Sequence, residues 1–160
     1  MVTSSYPRYA GDYYGSFVEC LCQKLTKHGV EVTVLSPRSR STNNLDDGIR
    51  VRRFPYMPRQ RLETLPEGTL KYAPPGSLIQ LPPYLCSAYI NMLGEQADLV
   101  HAHFAIPMGL IAAMSLREAP LLITCHGSDC TLLFEKPILG PFVKRALKRA
   151  DRVVAVSEFV

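Results

Sequence analysis

Apolar positions fall into two patterns that alternate along the chain. Short apolar runs bounded by turn residues or charge recur at 1–4, 30–35, 49–54, 98–103, 121–125 and 152–156, as strands of a buried parallel sheet do. Between them, apolar residues recur at helical spacing. Val18, Leu21, Cys22 and Leu25 predict a helix that starts near Gly15 and stops at Gly29. A second helix falls within 78–94, with Pro82 and Pro83 confining its regular part to the later residues. Further helices are expected at 108–118 and 138–150. Strands separated by helices imply right-handed crossovers and a doubly wound, mainly parallel sheet, an α/β Rossmann-like fold.

One stretch departs from the pattern. Residues 55–83 hold seven of the thirteen prolines, too donor-poor for a central strand. They read as an ordered excursion over the sheet edge or as a mobile functional loop.

With 160 residues, 47% of them hydrophobic, the chain can bury the core of one domain. No apolar run approaches a membrane-spanning length, and the first residues lack the charged and apolar regions of a secretory signal. Five cysteines without a Cys-x-x-Cys pair favour reduced thiols, mostly small core residues, and a cytoplasmic address. The net charge of +4 is compatible with anionic partners without requiring one.

The chemistry concentrates at two strand ends. One run reads Asp98-Leu-Val-His-Ala-His103, the other Pro120-Leu-Leu-Ile-Thr-Cys-His126-Gly-Ser-Asp129. Alternate side chains on a strand share a face, so His101 and His103 point together. Open α/β sheets bind ligands at the carboxyl ends of their strands. There Gly127 permits a tight turn, and Ser128 or Asp129 can cap a following helix whose N–H groups suit phosphate or hydroxyl oxygens. The same residues admit other readings. His101 can simply pack in the sheet, His126 can fill space beside a structural cap, and the histidines with Cys125, Asp129 and Cys130 offer metal ligands, although no zinc spacing is present.

The loop Tyr6-Pro-Arg-Tyr-Ala-Gly11-Asp-Tyr-Tyr-Gly15 occupies the slot of a phosphate loop. It lacks both the Gly-x-Gly-x-x-Gly fingerprint and the phosphate-loop lysine signature, which disfavours a nicotinamide enzyme or a phosphate-loop NTPase. Its tyrosines could stack on a sugar or a base, or cover the sheet edge. Helix 138–150 sorts Phe142, Val143, Ala146, Leu147 and Ala150 to one side and Lys144, Arg145, Lys148 and Arg149 to the other. That cationic side is either a solvated face or a seat for anionic lipid. Arg50, Arg52, Arg53, Arg59 and Arg61 form a second basic cluster, suited to an anionic acceptor or to protecting an edge strand. No nucleic-acid motif accompanies either cluster.

Taken in order, Val2-Thr-Ser-Ser-Tyr-Pro7, Gly11-Asp-Tyr-Tyr-Gly15, Lys27-His-Gly-Val-Glu-Val-Thr-Val34, Ala97-Asp-Leu-Val-His-Ala-His103, Thr124-Cys-His-Gly-Ser-Asp129 and Ala150-Asp-Arg-Val-Val-Ala-Val-Ser157 resemble the N-terminal domain of family 4 glycosyltransferases. These are retaining enzymes with two Rossmann-like domains facing a cleft, the GT-B fold. The resemblance implies that residues 1–160 are one acceptor-side domain, with a C-terminal donor-binding domain as its missing partner. It also implies a sugar nucleotide as donor substrate, a hydroxyl acceptor, no metal or other cofactor, and little activity without the second domain. By the same resemblance His126 is the catalytic residue at the transferred sugar. Gly15 sits beside the donor phosphates, and Asp12, Tyr14, His103, Gly127, Ser128 and Asp129 line or organise the substrate site. The family commonly has adjacent glycines before the first helix, where here Asp12, Tyr13 and Tyr14 separate Gly11 from Gly15. Peripheral contact with the inner face of a membrane, a binding module without catalysis and a metal-dependent hydrolase built on His101, His103 and His126 are the alternatives.

Overall fold

The computed structural model describes residues 1–43, 48–65, 76–116, 118–129 and 137–158. Two compact units divide the chain, Met1–Thr3 with Tyr89–Val160 and Ser4–Ala88. Both are α/β, with parallel strands and flanking helices in a Rossmann-like arrangement.

In the Ser4–Ala88 unit, helix α1 spans Ser16–Lys27 and strands β1, Thr33–Pro37, and β2, Arg50–Phe54, pair in parallel. Val18 and Cys22 bury the apolar stripe of α1. Glu19 in its first turn and Lys24 and Lys27 in its last complement the helix dipole. Gly29, at φ +82°, closes the helix, and the Val30 N–H returns to the Leu25 carbonyl at 3.1 Å. This cap explains why β1 begins at Thr33 rather than at residue 30. Val30 has spent its donor on the helix end. Among the described residues of 38–49, no helix joins β1 to β2.

The described part of the proline-rich excursion is ordered by polar ties. Glu63, fully buried, accepts from Arg38 Nε at 2.6 Å and from the backbone N–H groups of Tyr56 and Met57. The Gln60 amide donates to the carbonyls of Ser39 and Thr42, and Gln80 bonds both the N–H and the hydroxyl of Thr64. Phe54, Tyr56 and Tyr84 make edge-on ring contacts at 5.3–5.4 Å. Burial pushes the Tyr84 hydroxyl far above the ordinary tyrosine range. Residues 66–75, part of the same excursion, lie outside the described residues.

Helix α2, Leu81–Leu93, runs from one unit into the other. Pro82 and Pro83 stand inside its first turn, where backbone N–H groups have no helical acceptor, so they open the helix instead of delaying it.

The second unit holds a parallel sheet in the order β3 (Val100–His103), β4 (Leu121–Cys125), β5 (Arg152–Ala155). The expected first strand contributes a single bridge, Val2 to Ala102, on the other side of β3. A turn at Ala105–Gly109, with Ile106 extended, leads to α3, Leu110–Ser115, which is shorter than its apolar pattern suggests. Helix α4, Gly140–Arg149, packs on α3 and on that turn. Asp151 fastens β5 to the start of β4, its carboxylate accepting from the Leu121 N–H at 2.8 Å. Leu121, Ile123, Ala102, Met108, Val143 and Ala146 form the core. Of the cysteines, Cys22 and Cys125 are buried, whereas Cys20 and Cys86 are exposed on helix surfaces. Cys130 lies outside the described residues.

Candidate active site

At the carboxyl end of β3 and β4 three imidazoles form a row. His101 and His103 project from the same face of β3 and stack, with ring centroids 4.4 Å apart and planes 25° from parallel. His103 meets His126 edge to edge, with ring centroids 5.2 Å apart and planes 27° from parallel, and its Nδ1 lies 2.9 Å from His126 Nε2. His101 Nε2 is 2.7 Å from the Thr124 hydroxyl of the neighbouring strand. Phe104, at φ +71°, flanks His126 at 4.8 Å.

Asp129 sets the backbone of this corner. One carboxylate oxygen accepts from the Ala105 N–H at 2.7 Å and the other from the His126 N–H at 2.9 Å. The side chain therefore ties the exit of β3 to the exit of β4, rather than capping the helical turn that begins at Ser128. Gly127, at φ +73°, makes the intervening turn, and Ser128, exposed, returns its N–H to the His126 carbonyl at 2.7 Å. The course of any helix through 130–136 lies outside the described residues.

Burial governs the electrostatics. It depresses His101 to about 4 and His103 to about 3, with the other imidazoles adding repulsion. His126 is also lowered by burial, against the opposing pull of the Asp129 carboxylate. All three rings are therefore neutral at pH 7, each with one ring N–H and one acceptor nitrogen. Neutral imidazoles can ligate a metal, but here two ring nitrogens are turned on one another at hydrogen-bond distance. Among the described residues no three His, Cys, Asp or Glu side chains are grouped to hold a metal ion.

The second group of expected site residues belongs to the Ser4–Ala88 unit. Gly15 adopts φ +77° at the start of α1, and a β-carbon there would fall 2.4 Å from the carbonyl carbon and oxygen of Ser5. Only glycine fits. Asp12, 6% exposed, receives the Arg8 guanidinium at 2.6 and 3.1 Å together with the backbone N–H groups of Arg8 and Tyr14. These bonds, the Arg8 side chain first, hold its carboxyl down at about 2. Asp12 thus shapes the loop from within. Arg8 lies over the ring of Tyr14 at 5.0 Å, and Tyr13, 86% exposed, and Tyr9, 42% exposed, face solvent.

Of the basic cluster, Arg50 and Arg52 face outward. Arg53 turns inward to Ser36, the Pro7 carbonyl and the face of Tyr6. The ion pair Arg38–Glu63 escaped the sequence reading altogether. Twenty-five residues separate the partners, and nothing local marks them as a pair.

Residues 15–160 match the family model of Glycosyltransferase Family 4. A Bacillus subtilis glycosyltransferase provisionally named for teichuronic acid biosynthesis is 31% identical over 98% of this chain and 43% of its own length. An uncharacterized glycosyltransferase of Methanocaldococcus jannaschii is 34% identical over 48% of the chain and 24% of its own length. The N-acetyl-alpha-D-glucosaminyl L-malate synthase of Bacillus anthracis is 30% identical over 51% and 23%. The chain thus spans less than half the length of the curated relatives it matches, and along nearly all of its own length it belongs to glycosyltransferase family 4.

Proposed function

We propose that the chain is the N-terminal, acceptor-side domain of a retaining glycosyltransferase of GT-B architecture, moving a sugar from a sugar nucleotide to an acceptor hydroxyl in glycan biosynthesis. The observation that carries the reading is His126. It stands at the exit of β4 with its backbone pinned by Asp129 and its ring held between His103 and Phe104.

The chemistry follows from the neutrality of that ring. A neutral imidazole can offer a hydrogen bond to a sugar hydroxyl without placing a full charge beside the oxocarbenium-like centre that forms as the diphosphate departs. Orientation of the sugar is its contribution, and a donor phosphate oxygen takes the acceptor proton. Gly15 permits the close backbone turn at α1 where the donor phosphates approach. Asp12 and Tyr14 hold the loop, and Gly127 and Ser128 form the turn beside His126. The groups that hold the diphosphate belong, in this reading, to a second domain, so turnover needs both, and no metal takes part.

The test is made in the enzyme carrying both domains, by release of nucleoside diphosphate from a panel of sugar nucleotides. His126→Ala should lower turnover at least a hundredfold, about 2.7 kcal/mol of barrier, with the thermal transition preserved. Turnover at the unsubstituted rate would discard the role.

A second reading concerns where the enzyme works. Ile138 is 80% exposed and Phe142 48% exposed at the start of α4, whose Lys144, Arg145 and Lys148 are exposed as well. Apolar side chains beside a cationic helix face suit peripheral contact with an anionic membrane, consistent with the cytoplasmic face as the site of action. No described helix is long and apolar enough to cross a membrane.

A further inference from the structure

We infer that His103 is the positioning residue for His126, fixing both the plane and the tautomer of its ring through the Nδ1 to Nε2 hydrogen bond. Asp129 pins only the backbone of His126. A pinned Cα leaves both side-chain torsions free, so the ring needs its own restraint. Phe104 supplies packing on one side at 4.8 Å, but a phenyl ring cannot select a proton position. His103 can, because its nitrogen lies 2.9 Å from His126 Nε2.

His103 is suited to this because it is itself immobilised. It is 2% exposed, its backbone N–H bonds the Val2 carbonyl at 3.0 Å, and its ring stacks on His101 at 4.4 Å. His101 is anchored in turn on the Thr124 hydroxyl. The restraint therefore runs back into the sheet.

One hydrogen bond between two neutral rings carries one proton, so the two tautomers are coupled. When His103 Nδ1 carries the proton, His126 Nε2 accepts and the His126 proton sits on its own Nδ1. When His126 Nε2 carries it, the pattern reverses. His103 thereby decides whether the opposite edge of His126 presents a donor or an acceptor to a hydroxyl. The effect on turnover rests on the role proposed above for His126; the tautomer coupling does not.

The direct measurement needs no substitution. In the full chain labelled with 15N-histidine, a nitrogen–nitrogen coupling across the hydrogen bond should connect His103 Nδ1 to His126 Nε2, and the His126 ring shifts should report one dominant tautomer. His103→Phe, which keeps the stack, should bring the two His126 nitrogen shifts toward their average. His103→Asn, which restores a polar atom near the Nδ1 position, should separate them again. In the active enzyme, His103→Phe should lower kcat about tenfold, the scale of one hydrogen bond, and His103→Asn should recover most of it. Absence of the coupling, or unchanged His126 shifts in a folded His103→Phe, overturns the inference. Normal turnover of His126→Ala overturns the proposed function instead and leaves the coupling standing.

Discussion

Two residues show how tightly single positions are constrained. Gly15 combines a left-handed backbone with a β-carbon site 2.4 Å from the backbone of Ser5. Gly15→Ala must therefore move main chain rather than a flexible side chain. The expected cost is about 2–4 kcal/mol, read as a lowered urea midpoint; an unchanged midpoint would mean that the turn relaxes freely. Asp12 acts through charge. Its pKa falls from 3.8 in the unfolded chain to about 2 when folded, so its stabilisation is present above pH 4 and disappears as the pH drops through about 2. Asp12→Asn should remove on the order of 1–2 kcal/mol at pH 7 and flatten the stability curve between pH 4 and 2. Denaturation midpoints across that window would check both effects.

At the scale of elements, most of the architecture was legible because burial imposes a period. Val18, Cys22 and Leu25 mark α1, and continuous apolar runs mark β3 and β4, whose faces are largely buried. The misses have local causes. Val30 reads as strand but serves the helix cap, and Pro82 and Pro83 read as breakers but occupy helix positions that need no donor. For the candidate site, the strand-end histidines and the His126–Asp129 spacing were visible. The ring-to-ring hydrogen bond and the Arg38–Glu63 pair were not, because partners on separate strands or loops leave no trace in local spacing. Helix α4 also differs from its pattern. Val143 and Ala146 are buried as expected, but Phe142 stays half exposed; Ile138, just before the helix, is 80% exposed. If that end meets lipid, the chain should sediment with vesicles containing a third anionic lipid and release as salt rises, since the cationic face is screened within about 10 Å at 0.1 M. Ile138→Ser with Phe142→Ser should weaken sedimentation severalfold. Equal sedimentation with neutral vesicles, or none at low salt, would reject membrane contact.

For the whole chain, the imidazole row predicts how stability responds to acid. The folded protein holds His101 at about 4 and His103 at about 3, against 6.5 for the unfolded chain. Above pH 6.5 both states are neutral at these rings, and the groups leave stability unchanged with pH. As the pH falls below 6.5, the unfolded chain takes up two protons that the folded chain refuses, so stability is lost progressively and the loss is complete below about 3. His126, also lowered by burial, acts in the same direction. For His101 and His103 the slope should approach two protons, about 2.7 kcal/mol per pH unit, near pH 5, with His126 adding to it, in a window above the one in which Asp12 titrates. His101→Phe keeps a ring on the stack and removes one titrating group. It should start from lower stability, because the bond to Thr124 is gone, yet lose less on acidification, with the slope reduced by about one proton. Urea midpoints from pH 7.5 to 4 separate the two effects. A slope unchanged by His101→Phe would show that this ring is protonated within the fold, and that the row does not hold its members neutral.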